Sequence, residues 1–312
     1  MNAALLSAAL LIGCLLAVQA SVNLQLNKAV GTPYGASTVQ LGVATGLLVV
    51  AAAVIGSLGA LGRLPDVQWW HLLGGLASPL YITSGILLFP RLGALASVGL
   101  FVTGQMFASL ALDLFGLFGL ERKGLSPGIA FGAVAVLAGI TVIIRGQGAS
   151  APPGAPRTSA RGRAGWIALG IVAGGVLPVQ GAVNAGLRSG LRAPLAVAAF
   201  SFAVATLTIA VLLAVLRVTG RTPAPRMGNL RAMPWWGWLG GACAAGYVTG
   251  TFLLIPEIGA AVTVALTVTG QQLTSALIDH RGLFRLPTRL LGRARLSGLG
   301  LLLAGSLAIQ LV

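Results

Sequence analysis

Ten apolar runs, each long enough to carry a helix across a bilayer, leave this chain little else to build with. They fall at about 3–22, 36–56, 70–89, 93–113, 127–144, 166–185, 195–216, 235–255, 259–278 and 297–312. The hydrocarbon core of a membrane is about 30 Å thick and takes roughly 20 helical residues to cross. Only helices and closed barrels satisfy their backbone polar groups there, and these runs are continuous rather than alternating with period two, so a barrel is excluded. Composition agrees, because only 8% of the residues are charged, against roughly 25% in a soluble domain. So few charges cannot cover a surface that faces water. The expected fold is all-α and integral to the membrane, with about ten transmembrane helices in contact with the lipid bilayer.

A net charge of +15 raises the question of a nucleic-acid partner. The placement of the charge rejects it. The basic residues sit between the apolar runs, where they orient a membrane protein and meet anionic headgroups. Cys14 and Cys243 lie inside apolar runs without CxxC spacing or a histidine neighbour, and read as small apolar filler. Residues 3–20 end like a signal peptide, but no Lys or Arg precedes residue 28 and a matching segment recurs in mid-chain, so a retained helix is expected.

The runs divide five and five around residues 146–165, which are rich in Pro, Ala, Ser and Arg. Two units, 1–145 and 166–312, are expected on either side of this linker. The halves are copies. At an offset of 161, Gly13, Gln19, Asn23, Pro33 and Thr45 match Gly174, Gln180, Asn184, Pro194 and Thr206. At an offset of 166, Trp69, Trp70, Tyr81, Pro90, Gly93, Gly104, Gln105 and Asp113 match Trp235, Trp236, Tyr247, Pro256, Gly259, Gly270, Gln271 and Asp279. Apolar sequence matches by chance in Leu, Ala and Val, but not in Gln, Asn, Asp, Trp and Pro. Five crossings per copy force the second copy to enter from the opposite side, which makes the repeats inverted. Alternating access follows naturally from that symmetry. Fifteen Lys and Arg residues fall in the loops after helices 1, 3, 5, 7 and 9 and five in those after helices 2, 4, 6 and 8, which puts both termini outside.

The pattern Gln19-x-x-x-Asn23 followed by Pro33 recurs as Gln180-x-x-x-Asn184 followed by Pro194. Likewise Gly104-Gln105 leading to Asp113-x-x-Gly116 recurs from Gly270-Gln271 to Asp279-x-x-Gly282. Together these resemble the YdcZ-type family of the drug/metabolite transporter superfamily, in which a five-helix unit occurs as paired proteins or fused in tandem. The resemblance covers nearly the whole chain and implies ten helices in an inverted five-plus-five arrangement, a transport role and a bacterial plasma (inner) membrane location. The small multidrug-resistance relatives carry a membrane-embedded acidic residue in helix 1. This chain offers Gln19 and Asn23 there instead, which disfavours export of hydrophobic cations.

Polar side chains within membrane helices are costly unless partnered, so each asks for a role. Gln19 and Asn23 lie one turn apart on one face, as do Gln180 and Asn184. They read either as a lining for a solute cavity or as glue between helices, worth about 0.6–2 kcal/mol per contact. Gln105, Gln271, Tyr81 and Tyr247 lie in mid-helix and are further candidate solute contacts. Asp113 and Asp279 are candidate ion-coupling groups, or else hydrated residues near a helix end paired with Arg122 and Arg281. The paired tryptophans read as interfacial anchors, Pro90 and Pro256 as the start of tight connections, and His71 and His280 as surface groups. No GxxxxGKS/T motif, metal-ligand cluster or nucleophile–base set occurs, so no ATP-driven step, metal, cofactor or catalytic residue is expected. The expected function is a secondary transporter of a small polar solute, with a homo-oligomer left open. The alternative is a non-transporting membrane subunit or scaffold that stabilises a partner.

Overall fold

The structure, a computed structural model, describes residues 3–119, 122, 124–148 and 160–311. Ten helices follow in order: α1 Ala3–Val30, α2 Pro33–Val54, α3 Ser78–Leu92, α4 Ala94–Phe115, α5 Pro127–Gly148, α6 Ala160–Leu191, α7 Pro194–Val218, α8 Leu239–Ile258, α9 Ala260–Arg281 and α10 Arg293–Leu311. No strand occurs among the described residues. Nine helices among them are long and apolar enough to cross a membrane. Their outward faces carry exposed Leu11, Val50, Phe131, Val134, Leu207 and Val211, while Gln19, Asn23, Gln40, Gln271 and Gln272 are buried. A protein bathed in hydrocarbon can leave such residues outside at no cost, and must hide its amides.

The repeat is visible in how helices start and stop. Thr32-Pro33 opens α2 and Ala193-Pro194 opens α7, with proline in the first turn, where its missing N–H costs nothing. Gly116 (φ 61°) and Gly282 (φ 63°) close α4 and α9 in the left-handed conformation that glycine favours. One difference has a clear cause. Trp69–Ala77 is a run of 3₁₀ turns ahead of α3, whereas the corresponding run ahead of α8 is only Trp235–Trp238. Pro79 has no N–H to continue an α-helix backwards and would clash with the carbonyl four residues before it. Its counterpart in the second copy is Ala245, so α8 runs back to Leu239.

Pro90 and Pro256 do not begin connections, as the sequence suggested; they lie inside the last turns of α3 and α8. Each turn that follows is a single glycine, Gly93 (φ 80°, ψ 169°) and Gly259 (φ 82°, ψ 156°). Only glycine adopts that region readily, and other residues lose about 1–3 kcal/mol there. Gly259→Ala should lose about that much stability, since its Cβ would enter open space. Gly93→Ala should lose more, because its Cβ would lie 2.8 Å from Arg289 Cδ and 2.9 Å from Asp279 Oδ2. Thermal unfolding in detergent checks the ranking, and equal losses would mean that the side chains around Gly93 yield freely. Of the expected linker, residues 146–148 close α5 and 160–165 open α6, while 149–159 lie outside the described residues.

The helices pair by inverted symmetry. α1 packs on α9 as α6 packs on α4, while α2–α7 and α5–α10 are pairs of equivalent helices. On the first two seams a Cβ added to Gly13 would fall on the Thr267 carbonyl, and one added to Gly174 on the Phe101 carbonyl. Gly104 and Gly270 meet the carbonyls of Ile171 and Leu10 in the same way. Glycine thus allows backbone-to-backbone approach at four equivalent points. Thr45 and Thr206, each the copy of the other, share a hydrogen bond of 2.8 Å between α2 and α7. Contacts at the ends fix the direction of each pass. The Arg226 N–H donates to the Val30 carbonyl at 2.9 Å, Gln25 Nε2 donates to the Phe284 carbonyl at 2.9 Å, and Gly146 near the end of α5 lies against Arg295 at the start of α10. These join the connections after α1, α5, α7 and α9 at one end of the bundle. At the other end Arg63 donates to the Leu191 carbonyl, joining the connections after α2 and α6. Each copy therefore makes an odd number of passes, and the second runs upside down.

Candidate solute site

The amides on α1 and α6 occupy equivalent places in the two copies. Asn23 lies against Gly240 in the first turn of α8, and Asn184 lies against Gly74 of the run entering α3. The missing side chains of those glycines make room for the amides. The hydrogen bonding then differs. On α6, Gln180 exchanges hydrogen bonds with the Ser78 hydroxyl at 2.9 and 3.1 Å, and Asn184 Nδ2 donates to Ser201 Oγ at 3.1 Å. On α1 the partner positions hold Ala244 in place of Ser78 and Gln40 in place of Ser201. Gln40 Nε2 donates to the Gly240 carbonyl at 3.3 Å. That leaves Gln19 Oε1, Asn23 Oδ1 and Gln40 Oε1 buried, with no donor among the described residues, whereas on α6 only Asn184 Oδ1 is in that state. α1 and α6 are not packed as neighbours, and each amide pair sits beside its own glycine, Gly240 for α1 and Gly74 for α6.

Gln271 and Tyr81 come together: the amide Nε2 of Gln271 donates to the Tyr81 hydroxyl at 3.1 Å, tying α9 to α3. The Tyr81 ring packs on Phe101, with centroids 4.8 Å apart. In the other copy Thr267 stands where the first copy has Phe101, and its hydroxyl donates to the Val264 carbonyl at 3.0 Å. Gln105 is buried and its Nε2 finds no acceptor among the described residues.

Asp279 is not a hydrated helix-end residue, and its partner is not Arg281. Its side chain is 1% exposed and pairs with Arg295 Nη2 at 2.6 Å. Its two oxygens also accept from the backbone N–H groups of Ala94, at 2.7 Å, and Leu95, at 3.2 Å. The carboxylate of one copy thus caps the first turn of α4 in the other copy, where the helix dipole favours negative charge. Arg295 in turn donates to the carbonyls of Arg289 and Leu290 at 2.8 and 3.1 Å. Burial lowers the affinity of the Arg289 guanidinium for its proton, and the Asp279 carboxylate opposes that effect. Asp113, the copy of Asp279, is half-buried near the end of α4.

Other expectations fall out variously. Trp69 and Trp235 are 72% and 75% exposed, as anchors at an interface are. His71 is not a surface group: it is half-buried, and its ring fills the space beside Gly186 of α6. The sequence reading passed over Gln40, Ser78, Ser201, Arg295 and Gln272, the last fully buried with both amide atoms unpaired among the described residues. Each is polar where the other copy carries a different residue, Gln272 facing Met106 in the alignment of the halves. At the far end of α6, an open groove of about 450 Å³ is lined by Ala185, Arg188, Ser189, Arg192 and Pro194.

None of the curated proteins matches this sequence. A solved structure titled only "Crystal structure of protein" resembles it over 98% of this chain and 97% of its own, with a TM-score of 0.57 and 19% identity. That likeness concerns the fold. The family described as "Putative inner membrane exporter, YdcZ" matches twice, over residues 4–142 and again over 165–308. One match per structural copy, each spanning five helices, accounts for nearly all of the chain. The chain belongs to the YdcZ family of the drug/metabolite transporter type, a multi-pass protein of the inner membrane carrying two copies of the family's unit.

Proposed function

We propose that this protein is a secondary transporter that moves a small polar solute by alternating access between its inverted copies. The observation that supports it is the unequal state of equivalent amides. Both amide atoms of Gln180 are matched by the Ser78 hydroxyl, while Gln19 Oε1 and the neighbouring Gln40 Oε1 stay buried without donors. The asparagine oxygens of both copies, Asn23 Oδ1 and Asn184 Oδ1, are likewise unpaired among the described residues. A buried polar atom left unpaired costs about 1–3 kcal/mol. A solute that brings donors relieves that cost on arrival, which is how a site gains affinity in one conformation and loses it in the next. Two such pairs, upside down with respect to each other, supply that role on each side of the membrane in turn.

The Asp279 carboxylate fits this cycle as a coupling group of a particular kind. Protonating it would weaken the bond to Arg295 and release the N-terminus of α4, so proton binding and helix movement would be one event. The amide assignment is tested with Gln19→Met, which keeps the volume of the side chain and removes the unpaired oxygen. Purified Gln19→Met should unfold at a higher temperature than the parent, consistent with a gain of about 1–3 kcal/mol. In proteoliposomes loaded for metabolite uptake its transport should fall at least tenfold. A variant that transports normally would remove Gln19 from the site; one that is less stable would mark the amide as packing glue.

A further inference from the structure

The further inference rests on the transport reading and concerns what enters from the end of α6. Gln180, Asn184 and Arg188 follow one another at intervals of four and so form a single stripe on α6, with Arg192 at the turn just past its end. The stripe runs from the half-buried amides to the groove that Arg188 and Arg192 line. Arg188 is held with its guanidinium 5.6 Å over the Phe252 ring of α8. Arg63 reaches the same place to donate to the Leu191 carbonyl. Asp66 lies on the adjoining turn, beside Val67, which approaches Gly190. Three arginines and the Asp66 carboxylate thus border the mouth.

Two comparisons show that the fold does not require these charges. In the first copy the positions of Arg188 and Arg192 are held by Asn27 and Gly31. Gly31 has a φ of 81°, and Arg192 takes a φ of 51° at the equivalent turn. A residue with a side chain is uncommon in that conformation and costs free energy there, and such strain concentrates at functional sites. In addition, this end of the bundle has only five of the chain's twenty Lys and Arg residues, and three of those five gather at this groove.

We infer that the groove is the entry site for a solute bearing a carboxylate or phosphate group. Arg188 and Arg192 hold the anionic group, and the Gln180 and Asn184 amides take the polar remainder one and two turns deeper. Guanidinium groups suit this task because they present planar, paired donors to either oxyanion, and clustered positive charge raises the local concentration of anions.

The test uses the full chain in nanodiscs of phosphatidylcholine and reads the thermal midpoint against sodium succinate, sodium phosphate, dimethyl succinate and choline chloride at matched ionic strength. The expected result is a saturable rise with succinate or phosphate and none with the ester or the cation. In Arg188→Gln/Arg192→Gly, whose second change restores the glycine of the other copy, the half-saturating concentration should rise at least tenfold. An unchanged response in that variant overturns the inference, as does the absence of any anion response in the parent. A midpoint that rises only when phosphatidylglycerol is added to the discs also overturns it, and marks the groove as a headgroup seat. If the arginine variant behaves as expected while Gln19→Met transports normally, the entry site stands and the amide assignment falls. The converse pattern retires only the anion.

Discussion

Asp279→Ala is expected to destabilise the protein by about 3–5 kcal/mol, because removing one partner of a buried ion pair strands the other charge in low dielectric. Arg295, 2% exposed at its side chain, would then be a buried guanidinium without its carboxylate. The variant also leaves the Ala94 and Leu95 N–H groups without the acceptor that now caps α4. Arg295→Met should be similarly damaging, since it leaves the carboxylate buried with only backbone donors. The double variant Asp279→Ala/Arg295→Met should lose less than the sum of the two, because no charge remains to be stranded. Thermal unfolding of the four proteins in one detergent measures this cycle. Additive losses would mean that the pair does not act as a unit.

Gly104→Val should abolish assembly, and Gly104→Ala should weaken it severely. A Cβ at this position would fall on the Ile171 carbonyl and lie 2.8 Å from the Gly175 nitrogen, both main-chain atoms of α6. A side chain can swing aside, but two helix backbones can only separate, and overpacking of this kind costs about 1–3 kcal/mol per methyl-sized group or more. Gly46→Ala is the control. That position in α2 has no atom within 4 Å of an added Cβ, so the variant should gain up to about 1 kcal/mol from helix propensity. Size-exclusion profiles and thermal midpoints give the comparison. If both alanine variants behave alike, the α4–α6 seam is looser than its geometry indicates.

The architecture was legible because its determinants are the same in both copies. Pro33 and Pro194 start equivalent helices, Gly116 and Gly282 end them, and Gly13, Gly104, Gly174 and Gly270 mark the two close seams. The candidate site was legible only in part, for a physical reason. Matching the halves rewards identity, whereas the hydrogen bonding around the amides depends on where the halves differ. Ser78 against Ala244 decides whether a glutamine is satisfied, and Ser201 against Gln40 decides whether the asparagine amide finds a hydroxyl to donate to. Arg295 escaped because it stands at the start of an apolar run and reads as a loop charge. The fold places it beneath the end of α9, sixteen residues after the carboxylate it meets. Such distances belong to packing and leave no trace in spacing.

The Thr45–Thr206 bond has an implication for ancestry. A hydroxyl both gives and receives a proton, so it can satisfy an identical hydroxyl across a two-fold axis, which neither a carboxylate nor an ammonium group can do. Two unlinked five-helix chains, translated from one message and inserted in opposite senses, would meet through that same bond. That contact therefore asks for no difference between the two copies.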